Sequence, residues 1–186
     1  MLRRALLAIV SALLLAGCGA AATPAAPPPA PAAAGVTRSL PTALDVPAID
    51  AKSTLVSLGL NPDRTVEVPP VDQPLQAGWY EYGPTPGEVG PAVILGHIDG
   101  DHRKGIFWRL HELKPGDPVH VDRADGGKLT FEVTKVDQIA KKSFPTEAVY
   151  GNTSEPELRL ITCGGKYDAA NRNYLDNVIV YAKLKR

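Results

Sequence analysis

From about residue 40 onward no segment of this chain shows a long helical period; short β-type runs follow one another, each closed by turn-forming residues. The runs are Ala43–Pro47, Thr54–Leu58, Thr65–Val68, Ala92–His97, Pro118–Arg123, Lys128–Gln138, Glu157–Cys163 and Tyr174–Lys183. Between them stand Asn61-Pro62-Asp63, Pro84-Thr85-Pro86-Gly87, Lys114-Pro115-Gly116-Asp117 and Ala124-Asp125-Gly126-Gly127. Proline fixes φ and removes a backbone donor, and glycine admits conformations closed to other residues, so such clusters stop strands. The stretch from Leu129 to Val136 reads as an alternating, half-exposed strand, and Asp125-Gly126-Gly127 before it is a hairpin signal. Many short strands with this punctuation predict an all-β barrel or sandwich. Phe107–Leu113 and Thr146–Tyr150 are expected to form single helical turns, and no internal repeat is visible.

Ahead of this region lie two segments of different character. Arg3 and Arg4 precede an apolar run from Ala5 to Leu15, which ends in Leu15-Ala16-Gly17-Cys18. The run is shorter than the roughly 20 residues that a membrane-crossing helix needs, and it fits a secretory signal. The ending resembles the bacterial lipobox, which implies cleavage before Cys18 and acylation of its thiol; a plain signal peptide cleaved within the alanine-rich stretch is the competing reading. Gly19 to Gly35 is almost entirely alanine and proline, a composition that builds no core and favours extended polyproline II. The expected organisation is therefore a signal segment over 1–18, a semi-rigid linker over 19–39 and one domain over 40–186. The 186-residue chain carries 20 Lys+Arg against 20 Asp+Glu, and this balance argues against a nucleic-acid partner.

The chemistry concentrates in two apolar runs. Leu158-Arg159-Leu160-Ile161-Thr162-Cys163-Gly164-Gly165 holds the only cysteine after Cys18, and its two glycines predict that the strand ends at the thiol. Exported compartments oxidise thiols, so an unpaired cysteine there points to a reactive group; a small buried hydrophobe is the bland alternative. The second run, Ala92-Val93-Ile94-Leu95-Gly96-His97, ends on an imidazole and continues into the polar Ile98-Asp99-Gly100-Asp101-His102. Arg172 falls in the polar segment before the strand-like Asn177–Ala182. If the strands ending at His97 and Cys163 lie side by side and Arg172 begins the next, a thiol, an imidazole and a permanent cation converge. That set serves thiol-based acyl transfer.

Leu160-Ile161-Thr162-Cys163 resembles the active-site signature of the sortases, and Leu95-Gly96-His97 resembles their histidine segment. Val46-Pro47-Ala48-Ile49, Gly78-Trp79-Tyr80, Pro86-Gly87-Glu88-Val89-Gly90-Pro91, Gly96-His97-Ile98-Asp99, Cys163-Gly164-Gly165 and Tyr174-Leu175-Asp176-Asn177-Val178 extend the likeness, which is greatest to class F sortases. The resemblance implies a closed barrel of about eight strands. It implies Cys163 as nucleophile, His97 as acid and base, and Arg172 as donor to the oxyanion. It further implies a surface-protein substrate with a Leu-Pro-x-Thr-Gly type of sorting signal, a cell-wall amine as acceptor, and no cofactor. Thr162, Gly164 and Trp79 are the expected substrate-side residues, although Trp79 and Thr162 read equally as packing residues. His102 competes with His97 as base; His97 is preferred because a strand end holds a side chain more firmly than a charged loop. His111 and His120 read as surface residues. Cys163, His97, Asp99 and His102 lack metal-site spacing, so no metal is expected. A monomer held at the extracytoplasmic membrane face by its lipid is the expected state. Two other readings stand beside this one: an L,D-transpeptidase, whose Gly-Cys motif is not matched here, and a non-catalytic or hydrolytic exported lipoprotein with a sortase-like barrel.

Overall fold

The computed structural model describes residues 35–186, and most of the short runs appear in it as strands. In chain order these are β1 (Pro41–Val46), β2 (Ala51–Leu58), β3 (Ala77–Tyr80), β4 (Gly90–Gly96), β5 (Asp99–Gly100), β6 (Arg103–Lys104), β7 (Pro118–Arg123), β8 (Lys128–Ala140), β9 (Pro156–Asp168) and β10 (Asn173–Leu184). Helical structure among the described residues is limited to α1 (Thr146–Tyr150) and 3₁₀ turns at Pro47–Ile49, Leu110–Glu112 and Lys141–Ser143. None of these helices is long and apolar enough to cross a membrane. The expected signal segment with Cys18, and most of the expected linker, lie outside the described residues.

Eight strands close a barrel in the order β1-β2-β3-β4-β9-β10-β8-β7. Two neighbour pairs are parallel, β2 with β3 and β4 with β9. Alternation fills the interior: Ile94 from β4, Leu158 and Leu160 from β9, Val178 and Val180 from β10, and Phe131 and Val133 from β8 all enter one core. Burying each large side chain contributes about 1.5–3 kcal/mol. The opposite face of β4, β9 and β10 is covered as well, and β9 places the Arg159–Glu157 ion pair there beside apolar residues. Val93, Ile161 and Ile179 form a second cluster on the outer face with Val149 of α1, packed by Leu95, Phe144 and Tyr150. Burial on both faces explains why these three strands read as nearly continuous apolar runs.

Four sequence expectations change. Thr65–Val68 forms only an isolated bridge between Leu60 and Val66; Pro69 and Pro70, which lack a backbone donor, follow at once. Gly78-Trp79-Tyr80, not expected as a strand, lies in β3 between β2 and β4. The alternation of β8 skips one residue at Thr134, where the ladder with β10 shifts register, and the Thr134 hydroxyl donates to the Tyr181 carbonyl at 3.1 Å. Finally, β9 does not stop at Cys163. It continues to Asp168 because Gly165 and Lys166 together oppose Leu175 in a bulge. Gly165 has φ +73, and a Cβ there would meet the Asp176 carboxylate at 2.2 Å.

Candidate active site

The parallel ladder between β4 and β9 ends with Leu95 opposite Ile161. His97 and Cys163 each lie two residues past that last pair, where the ladder has ended. Parity sets the face. Leu95 and Ile161 belong to the outer cluster, and side chains two residues on share their side of the sheet, so Cys163 stands at the outer mouth of the barrel, free and half-buried.

His97 is the first residue after β4, and its backbone is clamped. Its carbonyl accepts from the Phe107 amide at 3.0 Å, and the Ile98 carbonyl accepts from Gly105 at 2.8 Å. Gly96 and Gly105 permit this closeness: a Cβ on Gly96 would lie 2.7 Å from the Phe107 ring, and one on Gly105 would lie 2.2 Å from the His97 carbonyl. The His97 Nε2 lies 2.6 Å from the Pro69 carbonyl oxygen. A carbonyl only accepts, so Nε2 is the donor in this contact. His102, the competing base, sits exposed in the β5–β6 turn with φ +57.

A second contact joins the two halves of the site. The Tyr174 hydroxyl on β10 donates to Asp99, two residues after His97. That bond, followed by burial, pushes the Tyr174 phenol up to about 12, and the Cys163 charge is among the smaller contributions. Tyr174 also meets Tyr167 edge to face at 5.1 Å between centroids. With Trp108, which Lys104 approaches to 5.1 Å, these rings and the β5–β6 turn line a cleft of about 610 Å³. No spacing rule in the sequence singles out Tyr174 as the link to Asp99.

The remaining expected residues occupy different places. Arg172 lies exposed in the β9–β10 turn with φ +50, beyond the Asp168–Asn173 pair and not at the start of β10. From Cys163 to that pair β9 extends roughly 15 Å, so the turn is not beside the thiol. The residue directly across from Cys163 is Asn177. That placement is visible only once the bulge has fixed the hairpin register. Thr162 is 4% exposed on the inward face, and its hydroxyl has no hydrogen-bond partner among the described residues. Trp79 is 2% exposed, and its indole N–H donates to the Pro84 carbonyl at 3.0 Å. Both are packing residues here; their side chains do not reach a groove. Gly164 is buried, and a Cβ there would press on Val178 at 2.8 Å. Among the described residues no three His, Cys, Asp or Glu side chains come together as metal ligands.

A model of the sortase domain family matches residues 44–185. Solved structures share the fold at low identity. Sortase A from Corynebacterium diphtheriae is 20% identical with a TM-score of 0.61, over 81% of this chain and 62% of that one. Sortase C1 of Streptococcus agalactiae is 20% identical with a TM-score of 0.60, over 82% of this chain and 70% of that one. A Clostridium perfringens sortase D5 transpeptidase is 20% identical with a TM-score of 0.57, over 80% of this chain and 79% of that one. The chain thus spans less than two thirds of the length of the first of these. No curated protein sequence matches.

Proposed function

The chain belongs to the sortase family, and from that premise we propose that it is a cysteine transpeptidase, most like the class F sortases. It acts on a sorting signal of the Leu-Pro-x-Thr-Gly type and passes the acyl group to a cell-wall amine. The observation that supports this reading is the parallel β4–β9 ladder, whose last pair, Leu95 with Ile161, stands two residues before His97 on one strand and Cys163 on the other.

The steps follow from the groups. The Cys163 thiol passes its proton to the His97 imidazole, the thiolate attacks the peptide carbonyl, a C–S bond forms, and the π pair moves onto oxygen. His97 gives a proton to the departing amine as the C–N bond breaks, which leaves a thioester. The acceptor amine attacks that thioester and a C–N bond forms, the imidazole takes up the proton it releases, and the C–S bond breaks to free the new amide and return the Cys163 thiolate. Arg172 enters as a cationic donor to the oxyanion only when the β9–β10 turn bends toward Cys163. The backbone at Cys163-Gly164 is a further donor candidate. The reading places the domain at the extracytoplasmic face of a bacterial membrane, as a monomer held by a lipid on Cys18.

The test is incubation of the full-length protein with a Leu-Pro-x-Thr-Gly peptide, with and without an added amine, followed by mass spectrometry of the peptide products. Amine-dependent ligation supports a transpeptidase. Cleavage without ligation makes the protein a hydrolase, and no cleavage at all removes this substrate class.

A further inference from the structure

We propose that the side-chain amide of Asn177 is a catalytic residue that donates a hydrogen bond to the oxyanion formed at Cys163. The inference rests on the acyl-transfer reading above and adds a residue to it.

Three observations converge on this amide. Asn177 is the register partner of Cys163 in the β9–β10 ladder. Facing residues in an antiparallel pair hold their Cβ atoms about 4.5–5.5 Å apart. The next pair inward on that face is Ile179 with Ile161, and both belong to the outer cluster. The bulge lies on the other side of Asn177, toward Tyr174, so nothing interrupts the alternation between these two pairs. Asn177 and Cys163 therefore project from the same outer face.

The amide is also unengaged. Its polar neighbours pair with one another: Gln138 donates to Asp176 at 2.8 Å, and Lys141 donates to Asn173 at 2.6 Å. Asn177 makes no side-chain hydrogen bond among the described residues, although it is half-buried at the end of the apolar row Tyr181, Ile179. A half-buried amide with two free N–H donors beside a nucleophile is suited to receive developing negative charge.

The lateral order gives the chemistry its direction. His97 follows the end of β4, Cys163 lies on β9 and Asn177 on β10, three successive strands of the barrel with the one that carries sulfur in the middle. When sulfur bonds to the carbonyl carbon, the π electron pair moves onto oxygen, and the Asn177 N–H stabilises that charge without transferring a proton. On collapse the pair returns to restore C=O, the C–N bond breaks, and the departing nitrogen takes its proton from the His97 imidazolium. Oxygen and leaving nitrogen are thus served from opposite sides of the nucleophile. Asn177 is fixed by strand pairing on both sides, through Cys163 and Ile139, whereas Arg172 sits in an exposed turn.

The test compares the full-length protein with Asn177→Ala and with Asn177→Leu, which keeps the size and removes the donors. Peptide turnover and the rate of Cys163 alkylation by iodoacetamide are measured for all three. Alkylation forms no oxyanion and reports a folded site with an intact thiol. The expected result is a kcat lower by roughly 10²–10³ in both variants, with KM and alkylation changed by less than about threefold. Either variant turning over within about twofold of the parent while alkylating normally overturns the assignment. A parent protein that forms no acyl adduct with the peptide overturns the acyl-transfer reading itself, and the inference falls with it.

Discussion

The two halves of β9 are one strand under two regimes. From Pro156 to Ile161 it lies between β4 and β10, and from Thr162 to Asp168 it pairs with β10 alone. In the first half Leu158 and Leu160 are fully buried, and even Arg159 is 3% exposed, held by Glu157 at 2.7 Å and stacked on the Tyr181 ring at 4.6 Å. In the second half the strand bulges at Gly165, and Tyr167 is 49% exposed. Cys163 falls just past the change. Pairing with β10 still fixes its Cα, while the departure of β4 opens one flank to solvent and to His97. The difference teaches where a closed barrel can hold a reactive group: at the point where a strand keeps one partner and loses the other.

The sharpest way to break this comparison is at the open flank. His97→Ala should lower turnover by about 10²–10⁴, the span of a lost general acid and base, and His102→Ala should leave it within about threefold. Kinetic constants for the two variants decide the matter, and the reverse pattern moves the base to the β5–β6 turn. Arg172→Ala asks whether the far end of the hairpin takes part. A closing turn predicts a loss of about 10²–10³ in kcat. Unchanged turnover removes Arg172 from the chemistry and leaves the strand-borne groups to act alone.

Stability should divide along the same line. Leu160→Ala, in the enclosed half, is expected to cost about 2–5 kcal/mol in urea unfolding, and Tyr167→Ala, in the open half, less than about 1 kcal/mol. Equal losses would mean that both halves are structurally equivalent. The smallest effect is electrostatic. The Tyr174 phenol is raised from 10.0 to about 12 by its bond to Asp99, so folding favours its neutral form. Its contribution to stability is fully present below pH about 10 and is lost as pH rises through about 12. In Asp99→Asn the phenol should ionise nearer 10.0, as read by phenolate difference absorbance, and that alkaline loss should shrink. An unshifted titration would show that Asp99 does not hold Tyr174.

Much of this architecture is legible in the residues. The apolar runs at Ala92–Gly96 and Leu158–Ile161 mark central strands because both faces of each are covered, and Pro118–Arg123 appears as read. The condition that the strands leading to His97 and Cys163 lie side by side is met, since β4 and β9 form a parallel ladder. What escaped has specific causes. β3 is short and holds Gly78, whose missing side chain makes room for Leu58: a Cβ there would lie 2.5 Å from that side chain. Propensity hides such a strand because its packing is decided by a distant partner. Gly164-Gly165 reads as a stop, but in the fold Gly165 is the hinge of a bulge that prolongs the hairpin and carries Arg172 away from the thiol. Asn177 and Tyr174 gain meaning only from that register, which no local pattern encodes.

The central claim is that Cys163 is a nucleophile held beside a proton-transfer group. It is tested most directly by the intact mass of the full-length protein during reaction with a Leu-Pro-x-Thr-Gly peptide, with peptide mapping of any adduct. The account predicts an added mass equal to the peptide segment before the cleaved bond. That mass should map to Cys163, be discharged by an added amine, and be absent from Cys163→Ala. An adduct on another residue, or peptide turnover that persists in Cys163→Ala, would contradict it.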